Sequence, residues 1–226
     1  MPTRIRTVAV HDVVARTYPR PPPEEKDHVA MAAGRAIDGA IAEFGHAYRQ
    51  GRRPTVTSIR AHGAALLDDA LAEAAVEVPA ETCERILGEL VGVLQAYRAS
   101  EIVGLSRPHT RVILLNGEVG VYAQPDFWDG RARIYEMKTY VAVPPPPDVA
   151  LQVRLFQLAF PQFQAVLVCF NRHVRPVETR TARVPPPTAD ETRAALERAL
   201  AVGREVGVEK VLEYVEGPFV HYTLAP

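Results

Sequence analysis

Apolar residues recur at helical spacing through the first half of this chain and in strand-like runs through the second. Ile37, Ile41, Phe44 and Tyr48 sit three or four positions apart and mark the buried stripe of a long helix over residues 27–50. Two more amphipathic stretches, 58–78 and 80–105, are rich in Ala, Leu and Glu and are separated by Pro79, which predicts two further helices. Ahead of them, a short opening strand over 5–10 is cut off by the Pro-rich break at 19–23. After Pro108 β-branched and aromatic residues take over. The runs 111–115 and 118–124 flank Asn116-Gly117, the strongest short-range hairpin signal. A turn at 128–130 leads to a third strand, 131–138, which completes a three-stranded meander. The prolines 144–147 form a stiff extended connector. Beyond them the pattern predicts a helix over 148–160, a very apolar strand over 164–170, a strand over 173–183, a Pro break at 185–187 and a helix over 189–214. No internal repeat or low-complexity segment appears.

Composition narrows this picture. With 226 residues and 47% hydrophobic content, the chain can bury a full core, and the expected organisation is one domain over 1–226. A mainly helical part, 27–105, would lean on a mixed α+β core in 107–226. The net charge of −1 argues against an indiscriminate nucleic-acid coat, so any polyanion must meet a local arginine patch. Cys83 and Cys169 are too few for a four-cysteine metal site and read as thiols in a reducing compartment. No signal-peptide pattern opens the chain, and no apolar run approaches the roughly 20 residues that span a bilayer. The expectation is a cytoplasmic protein with no membrane partner.

The candidate chemistry lies in the run from Gln124 to Lys138. Pro125-Asp126 sets one carboxylate at a strand end, and Glu136-Met137-Lys138 sets another two residues before a lysine. Side chains alternate along a strand, so Ala132, Ile134, Glu136 and Lys138 share one face. That arrangement can hold a metal ion and a water. Of the 26 basic residues only Lys26, Lys138 and Lys210 are lysines, so a retained lysine calls for a reason. A compact ammonium approaches a water or a phosphate as a point donor, which the planar guanidinium fork does not. Plain readings stand beside this one. Pro125-Asp126 also starts turns, Glu136 and Lys138 also suit a solvated ion pair on an edge strand, and Phe127 and Trp128 suit a core. The seven histidines lack ligand spacing.

The order of helix, meander, helix and strand, with the acidic triplet on the third strand, resembles the PD-(D/E)XK nuclease fold. More narrowly it is similar to the RecB-type branch, which includes nuclease domains of recombination helicases and the CRISPR-adaptation exonucleases. Four matches over residues 30–170 carry the resemblance. Gly34-Arg35-Ala36-Ile37-Asp38 matches the Gly-x-x-apolar-His helix motif, and 120–126 matches the strand bearing the aspartate. Residues 134–139 match the apolar-x-acid-x-Lys-Thr strand, and Gln152-x-x-x-Phe156 matches the Gln-x-x-x-Tyr helix motif. Asp38 stands where the family has His, and Phe156 where it has Tyr. Aspartate remains a competent ligand for a hard cation, whereas phenylalanine keeps the packing and loses a hydroxyl.

The resemblance implies a restriction-endonuclease-like α/β core, a central mixed sheet flanked by helices, with a helical N-terminal part. It implies a metal-dependent nuclease acting on DNA, with single strands or ends preferred, in repair, recombination or defence. Asp38, Asp126, Glu136 and the Met137 carbonyl would hold Mg²⁺ or Mn²⁺, and two cysteines are too few for the iron–sulfur cluster that some relatives carry. Lys138 would orient the attacking water or neutralise developing charge. Gln152 would contact the phosphate or that water. Arg131, Arg133, Arg154 and Arg172 are candidate backbone contacts, and Trp128 and Tyr140 candidate stacking surfaces. Asp38 also reads as a solvated helix position and Gln152 as an ordinary polar one. Two other functions fit the same residues: a nuclease-fold protein that binds nucleic acid or a protein partner without cutting, and an RNA-processing factor. A homo-oligomer fits equally well.

Overall fold

A computed structural model of the chain describes residues 4–22, 24–140, 143–211 and 219–224. The chain runs β1 (Arg4–Ala9), α1 (Val10–Thr17), α2 (Glu25–Arg49), α3 (Val56–Glu73), α4 (Ala80–Arg98), β2 (Arg111–Leu115), β3 (Val119–Ala123), β4 (Phe127–Trp128) and β5 (Arg133–Lys138). It continues through α5 (Pro147–Ala159), β6 (Gln164–Asn171), β7 (Glu178–Val184), α6 (Ala189–Val206), β8 (Val208–Val211) and β9 (Phe219–Tyr222). The expected α/β core with mixed strands and a helical N-terminal part is what the structure has.

The strands divide into two sheets, ordered β8-β1-β3-β2-β9 and β4-β5-β6-β7. The Asn116-Gly117 turn joins β2 and β3 as expected, with both residues at positive φ, 50° and 71°. The meander does not continue flat into its third strand. β3 stops at Ala123 and the chain resumes as β4, which pairs antiparallel with β5 in the other sheet. Pro125 has no N–H to give a ladder, so the strand breaks there and changes sheet. In the second sheet β5 and β6 run parallel, connected by α5, a helix that opens on Pro147 at its first turn.

Alternation places the two faces of this second sheet in different cores. Ile134, Ala165, Leu167 and Cys169 face α5, α6 and the first sheet. Tyr135, Met137, Val166, Val168 and Phe170 face α2 and α4. The helical part and the sheet part therefore share one wall, and the break at Pro125 lies along its edge.

Several boundaries differ from the sequence reading. The opening strand ends at Ala9 and turns into α1, where Asp12 accepts from the Ala9 N–H at 3.3 Å and Val10 and Val13 are buried. Helix α4 stops at Arg98 rather than 105, because Ile102 turns inward and Gly104 takes φ 76°. The strand expected over 173–183 begins only at Glu178. The last helix ends at Val206: Gly207 is extended, and β8 pairs antiparallel with β1. The end of that expected helix, 212–214, lies outside the described residues. Among the described residues no helix is long and apolar enough to cross a membrane.

Candidate active site

The break between β3 and β4 opens a pocket of about 260 Å³, lined by Asp38, Ala42, Gly45 and Arg49 of α2, Arg107 and Asp126 of the connections, and Glu136, Met137 and Lys138 of β5. Each contribution has a local cause. Asp38, Ala42, Gly45 and Arg49 fall on one stripe of α2 at i, i+4, i+7 and i+11, beside the stripe of the buried Ile37 and Phe44. At Gly45 the backbone must pass close to a neighbour: a Cβ there would lie 2.8 Å from the hydroxyl of the fully buried Tyr97. Beyond Tyr135 the two-residue β4 no longer covers β5. Asp126 replaces the missing strand, its Oδ2 accepting from the Met137 N–H at 2.9 Å.

Lys138 is the hub of the polar groups. Its Nζ donates to Glu136 Oε1 at 2.6 Å and to Gln152 Oε1, from α5, at 3.0 Å. Glu136 is 6% exposed. Burial and then the neighbouring Asp126 carboxylate push its carboxyl up to about 8, with Lys138 pulling the other way. Burial alone would lower the Lys138 ammonium, but the Glu136 and Asp126 carboxylates outweigh it and hold the group charged. Asp38 keeps an open solvent face, yet the protein around its carboxyl strips hydration, and with Asp126 nearby this raises it to about 6. Lys138, Arg172 and Arg107 act on Asp38 in the opposite sense. Arg107 lies 3.9 Å from Asp126 Oδ1.

The donors gathered here are hard oxygens, which suits Mg²⁺ or Mn²⁺ in chemical type. Raised carboxyls beside one another mark a place where a divalent cation would relieve repulsion. As they stand, Glu136 is engaged by Lys138 and Asp126 by the Met137 N–H. Among the described residues no group of three His, Cys, Asp or Glu side chains is already closed on one point.

The structure thus brings together Asp38, Asp126, Glu136, Met137, Lys138 and Gln152. Gln152 meets Lys138 rather than opening directly onto the pocket, and Phe156, one turn on, is a buried core residue. The flanking arginines lie outside the pocket lining, although Arg172 is near enough to act on Asp38. Arg133 pairs with Glu101 at 3.2 Å, Arg154 with Glu191, and Arg172 with the buried Glu89 at 3.7 Å, while Arg131 is exposed. Trp128 is committed to structure, its Nε1 donating to Ser106 Oγ at 3.0 Å and its ring packed on Phe163. Tyr140 is exposed. The arginines that do line the pocket, Arg49 and Arg107, were not singled out from sequence. The eleven-residue step from Asp38 to Arg49 was a usable signal, since it returns to the same helix face. Nothing in sequence distinguishes Arg107 from other arginines.

No family model matches the chain, and no curated protein matches it. Among solved structures, one from Eubacterium rectale, provisionally named an exonuclease, superposes with a TM-score of 0.52 over 93% of this chain and 86% of that chain, at 10% identity. The protein SSO0001 covers 89% of this chain and 77% of its own at 13% identity, with a TM-score of 0.42. At such identities the first likeness is one of fold alone, a shared α+β core, and the second carries no argument.

Proposed function

We propose that this chain is a divalent-metal-dependent nuclease of the RecB-like branch that hydrolyses DNA phosphodiester bonds. The observation that carries the reading is the convergence of Asp38, Asp126, Glu136 and Lys138, from a helix, a strand break and a strand, on one pocket that also holds Arg49 and Arg107. The fold shared with a protein named for exonuclease activity supports it.

Asp38, Asp126, Glu136 and the Met137 carbonyl are the residues that would hold Mg²⁺ or Mn²⁺. When bound, such an ion stabilises charge on the phosphate and lowers the pKa of a bound water. Lys138, charged and held by Glu136 and Gln152, presents a fixed point donor to the attacking water or to a phosphate oxygen. Gln152 is then a positioning residue for Lys138. Arg107 and Arg49 supply positive charge where a phosphate would enter.

The deciding experiment is cleavage of end-labelled single- and double-stranded DNA with Mg²⁺, Mn²⁺ or EDTA, comparing wild type with Glu136→Ala and Lys138→Ala. The expected result is metal-dependent cutting that falls by about 10²–10³ or more in each variant. Equal inertness of folded wild type and variants would sink the reading. A second reading, binding of nucleic acid without cutting, is favoured by the direct Glu136–Lys138 pair and by Asp38 in the place of a histidine. It predicts equal DNA affinity with and without metal, and no cutting.

A further inference from the structure

A second cavity, of about 600 Å³, lies between α2 and α3 and adjoins the site, because Ala42 and Arg49 line both. Its floor is apolar: Phe44 and Leu94 are buried, and Ile59 and Ala47 close the sides. Its rim is polar, with Arg49 and Arg52 exposed and Arg49 shared with the site. The acid on the rim, Glu43, lies 2.5 Å from His62, and Arg49 and Arg52 together outnumber it. The site pocket, about 260 Å³, is small enough to be filled by ions and a phosphate, whereas the second cavity falls in the range of about 300–1,000 Å³ that organic ligands occupy.

We propose that this cavity is a subsite for an unpaired nucleotide of the strand that is cut, resting on the nuclease reading above. A polynucleotide repeats a flat, largely apolar base and an anionic phosphate. The cavity and its rim repeat the complementary pair, an apolar recess beside guanidinium groups, in direct continuity with the residues that face the scissile phosphate. Arg49 links the two: it lines both spaces and is anchored by donating from Nη1 to the Leu105 carbonyl at 2.8 Å. A base can enter a recess between two helices only after leaving its stack and its partner. The subsite therefore selects for single-stranded DNA or frayed ends, and it does so through shape and charge rather than base sequence.

The test uses the full chain in EDTA and a single-stranded oligonucleotide carrying 2-aminopurine at one position at a time, with the matching duplex as control. Emission is expected to rise at one position on binding of the single strand and to stay unchanged in the duplex. Ile59→Trp, which fills the recess, and Arg52→Glu, on the exposed rim where folding is not at stake, are each expected to abolish that rise and weaken binding about tenfold. No responding position, or wild-type behaviour in both variants, overturns the subsite. Cleavage with Mn²⁺ is followed in parallel. Cutting without a responding position defeats the subsite and leaves the nuclease reading intact. A responding position in a protein that never cuts supports the subsite and defeats the nuclease reading.

Discussion

Two buried glutamates in this molecule meet basic groups in different ways. Glu89, on α4, is enclosed by Arg85, by Arg172 Nε at 3.7 Å and by His173 Nδ1 at 4.0 Å. Glu136, on β5, has one ammonium, Lys138, and on its other side a second carboxylate, Asp126. The first arrangement sets two guanidinium groups on one negative charge and adjoins no described pocket, which is how a helix is tied to a strand end. The second sets two carboxylates against one ammonium beside an opening, an arrangement that a divalent cation can complete. Residue type and burial are the same; the sign of the neighbours separates a structural pair from candidate chemistry.

The contrast breaks most sharply by removing each acid. Glu89→Ala leaves Arg172, whose Nε and Nη1 are already buried without hydrogen-bond partners, as an uncompensated charge. It is expected to lose about 3–5 kcal/mol of stability in urea unfolding. Glu136→Gln is expected to do the reverse in the metal-free protein at alkaline pH. The Glu136 carboxyl is raised from 4.5 to about 8, so the folded state holds its proton more tightly than the unfolded chain does. Its contribution to stability is full below about pH 4.5, falls as pH rises to about 8 and is level above that. Melting curves across pH in EDTA should therefore fall over this window in wild type and less so in Glu136→Gln. A glutamine variant that tracks wild type would refute the assignment.

A divalent cation sharpens the same contrast. Mn²⁺ at about 100 times its Kd should stabilise wild type by about 2.7 kcal/mol and raise Tm by several degrees. The rise should vanish in Asp126→Ala and persist in an exposed control such as Arg180→Ala. Gln152→Ala loosens Lys138 without removing its charge, and a loss of about tenfold in kcat with little change in KM is expected from steady-state cleavage. Arg154→Ala should have the smallest effect, under about 1 kcal/mol and with unchanged DNA affinity in a gel-shift titration, because its exposed partner is Glu191 rather than the site.

Much of this was legible in the chain before it folded. The Asn116-Gly117 hairpin, the stripe Ile37, Ile41 and Phe44, and the shared direction of Glu136 and Lys138 all follow from short-range steric rules and were found in place. Misreadings came where a local signal was weak or a distant partner prevailed. α1 is only two turns long, and of it the sequence reading took in Val10 alone, as the end of the opening strand. The tail of α6 gave way at Gly207 because β1 offered an unpaired edge for Val208–Val211. Trp128 and Arg133 read as nucleic-acid contacts because they neighbour the triplet, yet both point to partners of their own, Ser106 and Glu101.

The sequence by itself determined most of the longer helices and strands and set the spacing of Asp126, Glu136 and Lys138, since backbone sterics and the two-residue repeat of a strand act over a few residues. Only the tertiary structure decided that the strand breaks at Pro125 into two sheets, that Asp38 and Arg49 arrive from a helix far away in sequence, that Gln152 turns to Lys138, and that α2 and α3 leave a recess beside them. Those choices depend on how apolar faces pack and on which charges then find themselves adjacent, and neither is written in any short stretch of the chain.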